Sequence, residues 1–556
     1  MKFKVLGINF LGHDTSASLM VDGIPIACCE EERYNGEKHT RKFPINAIND
    51  CLKKSNLTLK DLDEVVFTDD PNIFKLKSKD DFRTRQLNVE DDYKKVLKNE
   101  LNYSGSIKFL SHHMCHNASV YYPSGFKDAL LMSNDGVGEI HSSSLAIGIN
   151  GEIKIIHEGN KWPHSLGLLY SAITYYLGWR PHYDEGIIMG LASFGNDNQL
   201  VPNSNKTYKE IFKEIVYETG DFDIEINTNW VAFHRVRDEW VSDSFRKLFG
   251  PKRKWEDEIT SVHKNIACAL QKRLEEIVLN QLKRAKDMTG MTKLCISGGV
   301  GLNCSLNGKI EKSGMFDEIF VQPASGDAGT SLGACYMTTM LKLGELKPKK
   351  WHNFYLGSEF SYDEIEMVLR QSNLQYSRLN EDYTEVANFL KNRNIIAWFQ
   401  ESSEFGPRAL GNRSILAAPF PILMKDYINA RVKFREEFRP FAPAILSKYV
   451  NEYFDISQES PHMLIACKIK EGKRDLIPAV IHVDDSARVQ TVSSNNNFRF
   501  NKLLKFFYNL TDCPVLLNTS FNVKGQPIVN TPEQAIECFL LTKIDFLVMG
   551  DFLVEK

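Results

Sequence analysis

Residues 129–138 read ALLMSNDGVG. A short apolar run, Ala129 to Ser133, stops abruptly in Asn134-Asp135-Gly136-Val137-Gly138. That pattern predicts a buried strand delivering an acid into a loop of small residues. A second strand, Ser144 to Ile149, then runs into Asn150-Gly151, a strong hairpin signal because both residues tolerate positive φ. The same plan opens the chain. Lys2 to Phe10 alternates as a strand, Gly12-His13-Asp14-Thr15-Ser16 follows, and Ala17 to Met20 leads to the turn Asp22-Gly23. The separation is too long for a solenoid. A strand, a small acidic loop and a hairpin, twice over, imply a duplicated α/β nucleotide-binding fold.

A third loop completes the layout. Residues 294–303, LCISGGVGLN, pass from a strand through glycines toward a helix. Such glycines let backbone amides approach a nucleotide, so Ser297, Gly298, Gly299 and Asn303 are candidate contacts. The alternative is a tight turn that needs positive φ. Twin loops with a third glycine-rich loop resemble the actin and sugar-kinase (ASKHA) superfamily, whose loops hold phosphates from two sides.

Bulk properties bound the rest. The 556 residues carry a formal net charge of −3, with 43% hydrophobic and 25% charged residues. This is a globular profile that disfavours a large polyanion as partner, so no nucleic acid is expected. Eleven cysteines without a CxxC pair point to buried thiols in a reducing compartment. No apolar run approaches spanning length and no leader pattern precedes the first strand, so a cytoplasmic location without a membrane is expected. Residues 200–258 are polar, aromatic and irregular, and read as an insertion. Asp257 to Lys286 has helical spacing. The helical pattern ends at Glu345-Leu346-Lys347-Pro348-Lys349-Lys350. Two domains are expected, 1–350 and 355–556, the second alternating strand and helix.

Three groups carry chemistry. His112 and His116, in SHHMCHN, stand at i, i+4 on one helix face and can share a cation. Asp135 and Asp327 supply carboxylates at strand and helix ends, although Asp327 also suits an N-cap. His13 is either a base for an alcohol proton or a turn residue. GPRALGNRSI, residues 406–415, sets two arginines on a bare backbone, as an anion site does. Lys433, Arg435, Arg439 and Arg488 are its basic company. Guanidinium forks hold phosphate oxygens in pairs. The competing reading, surface ion pairs with Glu436 and Glu437, suits Arg435 and suits Arg408 and Arg439 poorly. LLNTSFN, residues 516–522, ends a strand in hydroxyls and amides, including Asn518 and Ser520.

These pieces, with EEERYNGEKH, PHSLGLLYSAITYYLG, ASGDAGTSLGA, EFGPRALGNRSILAAP, EFRPFAPAIL, HVDDSARVQTV and LNTSFNVKGQPIVNTPEQA, resemble the ATP-dependent O-carbamoyltransferases over almost the whole chain. That family includes the tobramycin, nodulation-factor and cephamycin carbamoyltransferases. The resemblance implies an actin-like N-terminal domain related to tRNA threonylcarbamoyl transferase and a YrdC-like C-terminal domain. It implies two steps. Carbamoyl phosphate and ATP, with Mg2+, form carbamoyl-adenylate, and the carbamoyl group then passes to a hydroxylated small molecule. Arg408, Lys433, Arg439 and Arg488 would hold phosphates beside Asn518 and Ser520. Ser297 to Asn303 would hold the adenylate. His112, His116, Asp135 and Asp327 would bind one divalent metal, Fe2+ in this family, with His13 accepting the proton and Asp135 also counted as catalytic. Lys38, with His39, would line the adenylate or acceptor pocket. The chain departs from the family at Ile187, where a lysine is usual, and at Gln400-Glu401-Ser402-Ser403, where a glycine is usual. Residues 200–258 would shape the acceptor pocket, and Asp238, Glu239 and Asp243 would suit a cationic acceptor. Two rivals remain: a tRNA threonylcarbamoyl-type transferase, and a non-catalytic nucleotide- and metal-binding regulator. Hydrogenase-maturation carbamoyltransferases carry CxxC zinc fingers that this chain lacks.

Overall fold

The structure is a computed structural model that describes residues 2–10, 12–74, 89–236, 238–379 and 383–556. The first loop plan is built as expected. Strand β1 is Lys4–Asn9, and β2 (Ser16–Val21) and β3 (Ile24–Glu30) form an antiparallel hairpin through Asp22-Gly23. Then β4 (Glu64–Phe67) pairs in parallel with β1, and β5 (Ile107–Phe109) in parallel with β4. The second copy repeats this order. Strand β6 (Asp128–Asn134) leads into an antiparallel meander with β7 (Ser143–Ile149) and β8 (Glu152–Glu158). After a small hairpin of β9 (Val216–Thr219) and β10 (Asp223–Ile226), β11 (Lys293–Ser297) pairs in parallel with β6, and β12 (Glu318–Val321) with β11. Parallel neighbours need crossover helices. Those helices cover the central strand, which explains why β6 is buried from Ala129 onward and reads as an unbroken apolar run.

The chain forms two compact units: residues 1–9 with 62–350, and residues 10–61 with 351–556. Residues 10–61, expected with the first domain, group here with residues 351–556. Their hydrogen bonds explain why. Arg33 donates to Gly406 O, Lys54 to Gly357 O and Ser402 Oγ, and Cys28 N to Leu356 O. Tyr34 and Ser358 share the Asp50 carboxylate.

In the first unit, helix His112–Ser124 packs against helix Thr330–Leu343. A Cβ on Gly333 would lie 1.8 Å from Cys115 O, so only glycine permits this crossing. The close crossing brings the start of both helices to one place. The predicted helix over 257–286 is Ser261–Thr289. Residues 200–258 are more regular than expected, with helices Tyr208–Ile215 and Asp243–Phe249 around the β9–β10 hairpin. Thr207 and Ser242 cap those two helices, a signal present in the sequence.

The second unit holds an eight-stranded mixed sheet. Its strands are β13 (Gln375–Arg378), β14 (Ile396–Phe399), β15 (Arg413–Ala417), β16 (Ala442–Leu446), β20 (Gln490–Val492), β21 (Val515–Ser520), β22 (Phe546–Met549) and β23 (Phe552–Glu555). The order is β13-β23-β22-β14-β15-β21-β16-β20. A three-stranded sheet joins β17 (Phe454–Asp455), β18 (Ala466–Ile469) and β19 (Ser486–Arg488). All eleven cysteines are buried and free. Among the described residues no helix is long and apolar enough to cross a membrane.

Candidate functional site

The i, i+4 spacing works as predicted. His112 and His116 lie on the first turns of their helix with Nε2 atoms 3.0 Å apart. Asp135, carried out of β6, places Oδ2 3.4 Å from His112 Nε2 and 3.9 Å from His116 Nε2. Asp327 Oδ1 stands 3.5 and 3.8 Å from the same two atoms. All four donor atoms lie within 4.8 Å of one another and all four residues are buried. Donors around an ion with bonds of about 2.1 Å are separated by about 3.0–3.4 Å, so small movements would close this set on a divalent cation. Two imidazoles and two carboxylates suit iron, zinc or manganese. Facing imidazole nitrogens have no reason to meet at 3.0 Å without a shared proton or ion. Asp327 is not a helix cap: Gly329 is the N-cap of helix Thr330–Leu343, and no side chain caps it.

The electrostatics match that reading. Burial opposes charge on His112, but the Asp135, Asp327 and Asp69 carboxylates outweigh it and hold its pKa well above the usual range. Burial and the neighbouring His112 push His116 well below it. Asp135 is held well below the usual carboxylate range: burial opposes this, and His112, His116 and the Gly299 N–H overcome it. A supporting layer was not legible in the sequence. Glu139 Oε1 accepts the backbone N–H of His112 at 3.0 Å and of Asp70 at 2.8 Å, fixing the helix start. Asp69 Oδ1 lies 3.8 Å from His112 Nδ1. His113 is turned away, toward Ser133 Oγ and His141 O.

The glycine-rich loop abuts this cluster. Gly299 N donates to Asp135 Oδ1 at 2.8 Å. Gly298 has φ +83°, and a Cβ there would lie 2.2 Å from Asn134 O. Ser297 is fully buried. Asn303 caps the following helix through Leu306 N, and its amide pairs with Gln271 in both directions. Ile187, at the position of the usual lysine, is a buried helix residue.

In the second unit the basic residues converge on β21. Asn518 Nδ2 donates to Ala409 O, next to Arg408, and to Gln490 Oε1, two residues from Arg488. Two positions along, Ser520 accepts from Lys433 Nζ, which also donates to Asn522 Oδ1 at 2.8 Å. Burial, then repulsion from Arg435, Arg439 and Lys38, drives Lys433 well below its ordinary pKa. Arg435 falls to about 9 for the same reasons, with Arg439 and Arg488 as the repelling charges. Five cations therefore crowd one region.

Three expectations change here. Arg435 is no surface ion pair. It is half-buried and donates to Asn429 Oδ1 and Pro440 O, so the surface reading that suited it in the sequence does not hold. Arg439 does approach Glu436, at 3.5 Å, the pairing its apolar neighbours argued against. Arg413 greets no anion. It is fully buried and donates to the carbonyls of Gln400, Asn412, Ser358 and Glu401, stacked 3.6 Å over Phe399. Only Arg408, half-buried at the turn, remains from the pair in GPRALGNRSI.

His13 sits beside an unforeseen carboxylate. Its Nδ1 is 2.8 Å from Asp14 Oδ2, while His39 Nδ1 is 2.5 Å from Asp14 Oδ1. Asp14, Glu32 and His39 have three donor atoms within 4.8 Å, but Asp14 already serves both rings and Glu32 takes the His39 backbone N–H. Two of the three carboxylates offered to a cationic acceptor, Glu239 and Asp243, pair with Arg246.

Comparison with known proteins matches residues 4–336 to the carbamoyltransferase N-terminus family and residues 387–556 to the carbamoyltransferase C-terminus family. The nodulation protein NolNO of Sinorhizobium fredii is 36% identical over 563 residues, covering 99% of this chain and 80% of that protein. An uncharacterized protein of Synechocystis sp. is 36% identical, covering 99% of this chain and 96% of its own length. Nodulation protein U of Sinorhizobium fredii is 28% identical over 96% of each chain. Among solved structures, HypF of T. kodakarensis aligns with a TM-score of 0.33 at 13% identity, over 62% of this chain and 48% of that one, a likeness too low to carry weight. The two family matches together span most of the sequence: the chain belongs to the carbamoyltransferase family.

Proposed function

We propose that the protein is an ATP-dependent O-carbamoyltransferase acting on a hydroxyl of a small-molecule natural product or sugar. In the first step carbamoyl phosphate and water give carbamate and phosphate. A carbamate oxygen then attacks the α-phosphorus of ATP, pyrophosphate leaves, and carbamoyl-adenylate remains. In the second step the alcohol oxygen attacks the carbamoyl carbon, the carbon–oxygen bond to the adenylate phosphate breaks, and AMP leaves.

The observation that carries this reading is the crowd of Lys38, Lys433, Arg435, Arg439 and Arg488 around β21, where burial first, and then mutual repulsion, lowers the pKa of Lys433 and Arg435. Like charges are held together this way where a polyanionic ligand completes the site. Arg408 and Arg488 suit paired hydrogen bonds to phosphate oxygens, and Asn518 fixes the backbone beside Arg408. Lys433 orders the loop of Ser520 and Asn522. The amides of Gly298 and Gly299 would receive the adenylate. His112, His116, Asp135 and Asp327 would hold a divalent ion, iron by family resemblance, which would supply Lewis acidity toward the carbamoyl carbonyl. His13 takes the alcohol proton.

The test is pyrophosphate release from ATP on addition of carbamoyl phosphate, followed by mass spectrometry of candidate alcohols for a carbamoyl gain. Turnover with a carbamoylated product supports the reading. No pyrophosphate, with or without acceptor, overturns it in favour of a binding protein.

A further inference from the structure

An ionised carboxylate can only accept hydrogen bonds. Asp14 faces two imidazole nitrogens at once, His13 Nδ1 at 2.8 Å and His39 Nδ1 at 2.5 Å. Both nitrogens must then carry hydrogen. For a neutral His13 ring this leaves the lone pair on Nε2. The backbone holds the arrangement in place. Asp14 and His39 both adopt left-handed conformations, φ +58° and +55°. Glu31 N donates to Thr15 O, Thr15 N to Thr40 O, and His39 N to Glu32 Oε2. These bonds clamp the two loops so that the carboxylate sits between the rings.

We propose that Asp14, steadied by His39, is a positioning residue that fixes His13 in the tautomer with Nδ1–H and a basic Nε2. When the alcohol oxygen bonds to the carbamoyl carbon, its proton moves to Nε2, and the resulting imidazolium keeps its Nδ1–H bond to Asp14. This rests on the reading of His13 as the proton acceptor. The charge on Asp14 is supported independently: burial opposes it, but His39 and His13 hold the carboxyl well below its usual range.

The test is the Asp14→Asn variant, which keeps shape and tolerates positive φ. Its amide N–H₂ turned to His13 Nδ1 selects the Nε2–H tautomer. Transfer kcat should fall by about 10²–10⁴-fold, the usual worth of a positioned base, with acceptor KM within about threefold. Histidine-selective ¹⁵N NMR should show a protonated Nδ1 on His13 in the native protein and a protonated Nε2 in the variant. A native His13 protonated on Nε2 overturns the proposal, whether or not the variant folds. Full transfer by a folded Asp14→Asn protein overturns it too. The His13→Asn variant separates the two readings. If it transfers normally, His13 is not the base. If it is inactive while Asp14→Asn is not, the positioning role alone fails.

Discussion

Arginines 408 and 413 stand five residues apart in one motif and do different work. Arg413 binds four backbone carbonyls inside the core. Its substitution by methionine strands those acceptors, and should cost about 2–4 kcal/mol in urea denaturation. Arg435 should behave in the opposite way. It is repelled by Arg439 and Arg488, so Arg435→Gln should leave unliganded stability unchanged or higher while raising KM for carbamoyl phosphate or ATP about tenfold. Equal KM with lower stability would make it structural. Sequence reading could not separate these arginines because burial depends on partners far along the chain. Gln400 and Ser358, which hold Arg413, are not adjacent to it in sequence. The HxxxH pair was legible because its partners share one helix turn, whereas Glu139 and Asp69 behind it were not, since nothing local ties them to His112.

Elements were legible where a single period or turn rule governed them. The twin strand-loop-hairpin units followed from alternation and from Asp22-Gly23 and Asn150-Gly151. Residues 200–258 were underestimated, since short capped helices leave a weak periodic signal. Two elements converge because their helices cross at Gly333, where an added Cβ would meet Cys115 O at 1.8 Å. Gly333→Ala should therefore push the helices apart, loosen the His112–Asp327 geometry, and lower bound metal per protein as read by elemental analysis. A variant with full metal content would show that the crossing does not set the site. The Gly298 turn is similar in kind. Gly298→Ala combines a positive φ with a 2.2 Å approach to Asn134 O, and should weaken adenylate binding at least tenfold in calorimetry.

At the scale of the molecule, acid should destabilise the fold in a defined window. Burial lowers the pKa of His462 from 6.5 to about 3. Between those values the unfolded chain binds this proton and the folded chain does not. The contribution is intact above pH 6.5 and is lost at about 1.4 kcal/mol per pH unit as pH falls toward 3. His462→Asn should flatten that part of the stability profile. The division of residues between units was the least legible large feature. Residues 10–61 belong with the C-terminal unit through bonds such as Arg33 to Gly406 O, which no local pattern announces.

The central claim is that phosphate-holding residues make an activated carbamoyl group and that the His112–His116–Asp135–Asp327 cluster is needed only to deliver it. The most direct measurement follows pyrophosphate and carbamoylated alcohol together in His116→Ala and Arg488→Ala proteins. The account predicts pyrophosphate without carbamoylated alcohol from His116→Ala, and neither product from Arg488→Ala. Carbamoylated alcohol from His116→Ala, or undiminished pyrophosphate release from Arg488→Ala, would contradict it.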